Sequence, residues 1–410
     1  MSSIFRVVIF SFFAGILVAG IVFFFFIKKD TREQVAESPR VVSQIVPSVL
    51  PETTTSVLVV ATSSVQQGAT TTAKATSTSP TIAPSSKNTA SLSLSNKVFA
   101  LTQPTSKNID DLLADADVDG LALQFAWEAI ETSDNVYRFD ELDSVMTRTK
   151  EKGKQVTLHL LAAPHAPKWL EGKGATYFSS TDFRGRTLRD VVPWDAVYVA
   201  QYKEFLTTLA LHLKEKGTLD VVFDVSVTVP QAEMNLVTCR DGALAQGVPY
   251  DRVKYLAAWK EIGDAYAKAF PLQVKFVSSP HMGLICAPEQ DTKFYSELMN
   301  YLLTTYDKSF WVFAADLKID GSVRSEAYPE LLKKTGLGYQ TIWSASGKAM
   351  NVGVELGGTF PDNLKQSVCA GLKNGAAYFE IYQVDVLSAD TTLRSALKAV
   401  HTPTLCKNLQ

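Results

Sequence analysis

The sequence predicts an α/β chain whose main domain is a (β/α)8 TIM barrel, preceded by a transmembrane helix and a disordered stalk. Three observations predict the barrel. From Lys97 onward, short apolar runs rich in β-branched and aromatic residues alternate about eight times with amphipathic helical runs. The alternation continues over roughly three hundred residues, which suits one closed parallel barrel. Two of the runs lead to a glutamate, Glu233 in VFDVSVTVPQAEM and Glu355 in MNVGVELGG. Chemistry in this fold is done at the C-terminal ends of the strands, where the βα loops converge.

KVFALTQP (97–104) reads as strand one and NIDDLLADADV as the first helix. GLALQFAW (120–127) is strand two, and in the following YRFDELDSVMTRTKEKG run Phe139, Leu142, Val145 and Met146 share one helical face. QVTLHLLA (155–162) is strand three, followed by a long loop over 163–193 that carries HAPKWL and FRGRTLRDVVP. YVAQYKEFLTTLALHLKEKG is a strongly amphipathic helix stopped by Gly217. TLDVVFDVSVTV (218–229) and DRVKYLAAWKEIGDAYAKAF form the fourth unit, QVKFVSSP (273–280) and FYSELMNYLLTTY the fifth, FWVFAADLKI (310–319) and AYPELLKKTG the sixth. Strand seven is assigned to NVGVELGG (351–358), with LGYQTIWS (337–344) competing for part of that role. DNLKQSVCAGLKNG, strand eight in AYFEIYQVDV (377–386) and the helix TTLRSALKAVH close the ring.

The region before the barrel has a different composition. Val7 to Ile27 is an apolar run broken only by Ser11 and flanked by Arg6 and Lys28-Lys29. It is long enough to cross a hydrocarbon core of about 30 Å as a helix. A cleaved signal peptide is the rival, but the small residues Ala19 and Gly20 are followed by Ile-Val and four phenylalanines, so cleavage there leaves an apolar new terminus. Residues 31–96 are rich in Ser, Thr and Pro and nearly free of aromatics, a composition that cannot offset the entropy of ordering. The expected organisation is therefore an anchor over 1–30, a disordered linker over 31–96 and the barrel over 97–410. The expected placement is a single pass through the cell membrane by residues 7–27, with the barrel extracytoplasmic. The basic residues on the C-terminal flank weigh slightly the other way.

Net charge is −2, which gives no electrostatic grip on nucleic acid. The histidines, His159, His165, His212, His281 and His401, are scattered, with no zinc spacing, phosphate loop or dinucleotide fingerprint. Neither a metal nor a cofactor is expected. Four cysteines allow three pairings. Only Cys239 with Cys286 and Cys369 with Cys406 joins adjacent elements of the predicted ring in both bonds; four buried thiols are the alternative. Trp127, His165, Trp169, Trp194 and Tyr382 follow the ends of predicted strands, where aromatic faces can stack a sugar ring or pack a loop. Glu380, inside strand eight, is costly unless paired, so it either serves the site or sits in a core ion pair.

The stretch GLALQFAWEAIETSDNVYRFDELDSVMTRTKEKGKQVTLHLLAAPHAPKWL resembles the opening of retaining glycoside hydrolases of clan A, especially the family 42 β-galactosidases. VPWDAVYVAQYKEFLTTLA, QAEM and YFEIYQVDV continue the resemblance over most of residues 98–390. It implies a carbohydrate substrate, Glu233 as general acid/base and Glu355 as nucleophile, with their carboxyl groups about 5–6 Å apart. Glu380 is the rival second carboxylate. One departure stands out: the clan normally has Asn before the acid/base, and here that residue is Ala232. The readings that follow are a retaining glycosidase, a barrel that binds glycans without cleaving them, and, more distantly, a lyase or transglycosylase using the same carboxylates.

Overall fold

In a computed structural model, the described residues are 96–407, apart from 163–164, 182–186, 228–247, 249, 279–290, 318–328, 342–344 and 346–359. The barrel lies within the compact unit Lys87–Gln410. Its strands are β1 (Lys97–Thr102), β2 (Gly120–Ala126), β3 (Gln155–Leu161), β4 (Val222–Ser226), β5 (Lys275–Ser278), β6 (Phe310–Leu317), β7 (Leu337–Thr341) and β8 (Tyr378–Tyr382). All eight belong to one parallel sheet in the spatial order β4-β3-β2-β1-β8-β7-β6-β5. Parallel bridges from Asp224 to Val274 and from Val227 to Val277 join its two ends, so the sheet closes on itself. This is the (β/α)8 architecture that the alternation predicts.

The connecting helices are α1 (Ile109–Ala114), α2 (Asp140–Glu151), α3 (Ala196–Glu215), α4 (Arg252–Ala269), α5 (Asp291–Tyr306), the single turn α6 (Pro329–Leu332), α7 (Phe360–Lys373) and α8 (Thr391–His401). Three of them start on an aspartate whose carboxylate accepts two backbone N–H groups of the first turn: Asp195 before α3, Asp251 before α4 and Asp390 before α8. Each cap satisfies donors that the helix itself leaves open. Gly217, just past α3, has φ +67°, the left-handed conformation that ends a helix at little cost for glycine.

Side chains alternate along the strands, except at a register shift in β4 that brings both Phe223 and Asp224 inside. Outward residues such as Val98, Leu121, Val156 and Tyr339 pack under the helices in the larger core. Inward residues fill the barrel, and its lower part is a plug of aromatic rings around Tyr378. Phe99, Phe223 and Phe276 lie 4.8, 5.7 and 4.5 Å from it by ring centroids, and Phe313 and Trp311 pack on Phe276. Room for the plug comes from glycine. A Cβ on Gly120 would meet Phe99 Cε1 at 2.5 Å and the Gln155 carbonyl at 2.2 Å.

Three expectations are corrected here. Strand seven is Leu337–Thr341, inside the competing LGYQTIWS run, and it pairs with β6 on one side and β8 on the other; NVGVELGG lies outside the described residues. The long 163–193 loop carries structure of its own: a 3-10 turn, Lys168–Lys173, and an antiparallel hairpin, Tyr177–Thr181 with Thr187–Val191. The single-pass membrane placement is corrected, and membrane association is not shown. Among the described residues no helix is long and apolar enough to cross a membrane. Residues 7–27 and the 31–96 linker lie outside the described residues.

Cys369 in α7 and Cys406 beyond α8 form a disulfide, with Cα atoms 5.4 Å apart, within the reach such a bond requires. Cys239 and Cys286 lie outside the described residues.

Candidate active site at the barrel mouth

Above the aromatic plug the barrel interior turns polar. Thr157 and His159 come from β3, Asp224 and Ser226 from β4, Gln340 from β7, and Tyr378, Glu380 and Tyr382 from β8. Within each strand these residues sit two apart and so share the inward face. Such groups are costly in a dry interior unless they satisfy one another.

Most do. His159 Nε2 lies 2.6 Å from Glu380 Oε1. The Tyr378 hydroxyl donates to the same oxygen at 2.6 Å and lies 2.8 Å from Thr157 Oγ1. Asp224 accepts the Phe276 backbone N–H at 2.8 Å and the Ser226 hydroxyl at 3.1 Å. Burial pushes the Asp224 carboxyl well above the ordinary range, and the nearby charge of Glu380 adds to the effect. Burial, followed by Glu380, likewise pushes the Tyr378 phenol well up, so that it stays a donor. Glu380 is fully buried, and its second oxygen, Oε2, has no hydrogen-bond partner among the described residues. Glu380 is thus half satisfied: one oxygen is held by two groups and the other is open.

The remaining predicted residues separate. Glu233 and Glu355 lie outside the described residues. Trp127 offers no face to a sugar, which corrects its expected role. It is fully buried, its ring packs on Tyr198, Tyr202 and Phe205 of α3, and its indole N–H donates to Glu131 at 2.8 Å. Trp169 stands edge-on to Trp127 and donates to the Glu131 carbonyl, with Lys173 over its ring. Trp194 packs against Tyr250 and Tyr255. Trp127 is thus a packing residue, whereas Trp169 and Trp194 pack in this way while remaining only partly buried. His165 is half exposed, 3.4 Å from Glu128, and its carbonyl accepts the Glu128 N–H, which ties the loops after β2 and β3 together. Tyr382 closes β8 and packs on the inner cluster.

Sequence reading overlooks His159, Asp224, Thr157, Gln340 and Tyr378. The signal is a polar residue recurring at period two inside an otherwise buried strand: T-L-H in β3, D-V-S in β4, Y-F-E-I-Y in β8. Among the described residues no group of three or more metal-ligating side chains converges.

No family model matches the chain, and a comparison with curated proteins gives no match. Solved structures similar to it include three xylanases. Xylanase 10B from Thermotoga petrophila RKU-1 in complex with xylobiose is 10% identical, with TM-score 0.49, over 76% of this chain and 95% of that one. Native xylanase 10B from Thermotoga maritima is 10% identical, with TM-score 0.48, over 76% and 96%. The endo-1,4-beta-xylanase from Caldicellulosiruptor owensensis is 13% identical, with TM-score 0.44, over 70% and 84%. Likeness at this level carries no argument about chemistry, and the barrel assignment rests on the closed sheet itself. The comparisons give no support to family 42.

Proposed function

We propose that the chain is a glycoside hydrolase that cleaves O-glycosidic bonds with retention at the C-terminal mouth of the barrel. Glu233 is the general acid/base and Glu355 the nucleophile. The observation that carries this reading is the closed parallel barrel with a polar floor. β4 runs through Ser226 to the bridge at Val227, and the segment bearing Glu233 follows directly in sequence. The segment bearing Glu355 follows β7 and precedes α7. In sequence order both glutamates thus fall between a strand and the helix that follows it, the kind of connection that carries the chemistry of this fold. Two carboxyl groups, one protonated to release the leaving oxygen and one ionised to attack, are what retention needs. Tyr382 contributes to the floor against which the sugar rests, and the buried Glu380 supports that floor from within.

Ala232, where the resembled clan has asparagine, favours a second reading, a barrel that binds glycans without hydrolysing them. One experiment separates the two. The full chain, offered a panel of chromogenic aryl glycosides, is expected to release aglycone, and Glu233→Gln is expected to slow release by roughly 10²–10⁴-fold. Glycan binding with no release from any substrate moves the assignment to the second reading.

A further inference from the structure

We infer that His159 is a ligand-contacting residue of the mouth, presenting its Nδ1 to a hydroxyl of the bound glycan, and that Glu380 is the positioning residue that holds it there. The inference rests on the glycan reading above and deepens it. Its basis is the asymmetry of the imidazole. Nε2 is engaged by Glu380 at 2.6 Å, whereas no hydrogen bond engages Nδ1 among the described residues. The pair is also graded in burial: the Glu380 side chain is fully buried and that of His159 keeps 8% exposure. The dry end is the carboxylate and the wetter end is the ring.

Glu380 cannot swing freely, because Tyr378 donates to the oxygen that His159 also uses, and Thr157 backs the Tyr378 hydroxyl. Phe313, 6.0 Å away by ring centroids, flanks the imidazole. A buried carboxylate on one ring nitrogen fixes the orientation of a histidine and leaves the other nitrogen available. What sets His159 apart from His212, which is engaged by Asp143 through one nitrogen on the outer helix layer, is its place on the inner face of the barrel, two residues beyond Thr157 on β3. One of its nitrogens is fixed and one is presented. The cluster also contains Gln340, aligned with Glu380 across the β7–β8 ladder. An imidazole nitrogen and a side-chain amide gathered on a barrel floor match a polyhydroxylated ligand, whose hydroxyls both donate and accept. They do not match an apolar one.

Two measurements test this. Diethyl pyrocarbonate acylates unprotonated imidazole nitrogen, so treating the full chain near neutral pH and mapping peptide masses reads Nδ1 without knowledge of the ligand. His159 is expected to gain one carbethoxy group, more slowly than the half-exposed His165. Labelling of His165 with none at His159 overturns the inference. On an aryl glycoside that the unmodified chain turns over, His159→Gln is expected to lower kcat/KM about 10-fold or more, the scale of one lost ligand hydrogen bond. The Glu380→Gln, His159→Gln double variant is expected to be no worse than His159→Gln alone, because Glu380 acts through the ring. Unchanged kcat/KM in His159→Gln, or losses that add, overturn it. If the unmodified chain turns over no glycoside, the hydrolase reading fails by itself and the labelling result still decides whether Nδ1 is presented.

Discussion

At the residue scale, the barrel interior depends on which carboxyl carries a proton. Asp224 is fully buried, and its proton affinity is raised well above the ordinary carboxyl value of 3.8. A group held up in this way contributes its full stability below the unfolded value, and that contribution is lost as pH rises toward the folded value. Asparagine at this position can still accept the Phe276 N–H and can donate to Ser226, and it has no charge to bury. Asp224→Asn is therefore expected to match or exceed the natural chain in Tm at pH 7 and to flatten the fall in stability above about pH 4. Asp224→Ala is expected to lose roughly 1–3 kcal/mol by orphaning the Phe276 N–H. Thermal melts of the three proteins across pH check this, and equal losses in Asn and Ala contradict it. These residues were legible only as a faint pattern. A threonine two positions before a histidine in an apolar strand is easily passed over when the eye is drawn to tryptophans after strand ends. Trp127 shows why that eye is misled: its indole is fully buried against Tyr198, Tyr202 and Phe205 of α3.

At the scale of elements, two features set expectations. Lys275 opens β5 almost fully buried, with its ammonium 5.8 Å from the Phe310 ring centroid. Burial lowers its pKa to about 8, against a partial offset from Asp224. The folded chain then binds fewer protons than the unfolded one between about pH 8 and 10.5, so stability rises with pH across that window. Lys275→Met removes the penalty and is expected to raise stability at pH 7 by up to roughly 3 kcal/mol, and by much less at pH 10. An unchanged or lowered Tm at pH 7 contradicts this. The second feature is the Cys369–Cys406 bond, which ties the C-terminal turn to α7 across a sequence separation of 37. Replacing both cysteines by serine is expected to cost about 2–4 kcal/mol in denaturant unfolding.

Elements were the most legible level of this chain. Helices with an aspartate cap and a one-sided apolar stripe, such as α3 and α4, follow from their residues to within a few positions. Strand seven did not. LGYQT and NVGVELGG both have the composition of a strand, and period-two patterning in so short a run cannot rank them. Pairing with β6 and β8 decides it, and pairing is a property of the closed sheet.

At the scale of the whole molecule, closure of eight parallel strands turns a linear alternation into a single mouth. It gathers β3, β4, β7 and β8, which are distant in sequence, around one polar floor. That convergence explains why the fold can be read from the chain while the floor cannot: His159 and Glu380 are 221 residues apart and meet only because the sheet closes. The central claim is that this mouth cleaves glycosides through a covalent intermediate. Trapping with an activated 2-deoxy-2-fluoro glycoside, followed by peptide mass mapping of the full chain, tests it most directly. The predicted result is one glycosyl adduct per chain, on the peptide containing Glu355, and no adduct after Glu355→Gln. Turnover with inverted anomeric configuration and no adduct, or an adduct on a carboxylate away from the barrel mouth, would contradict the account.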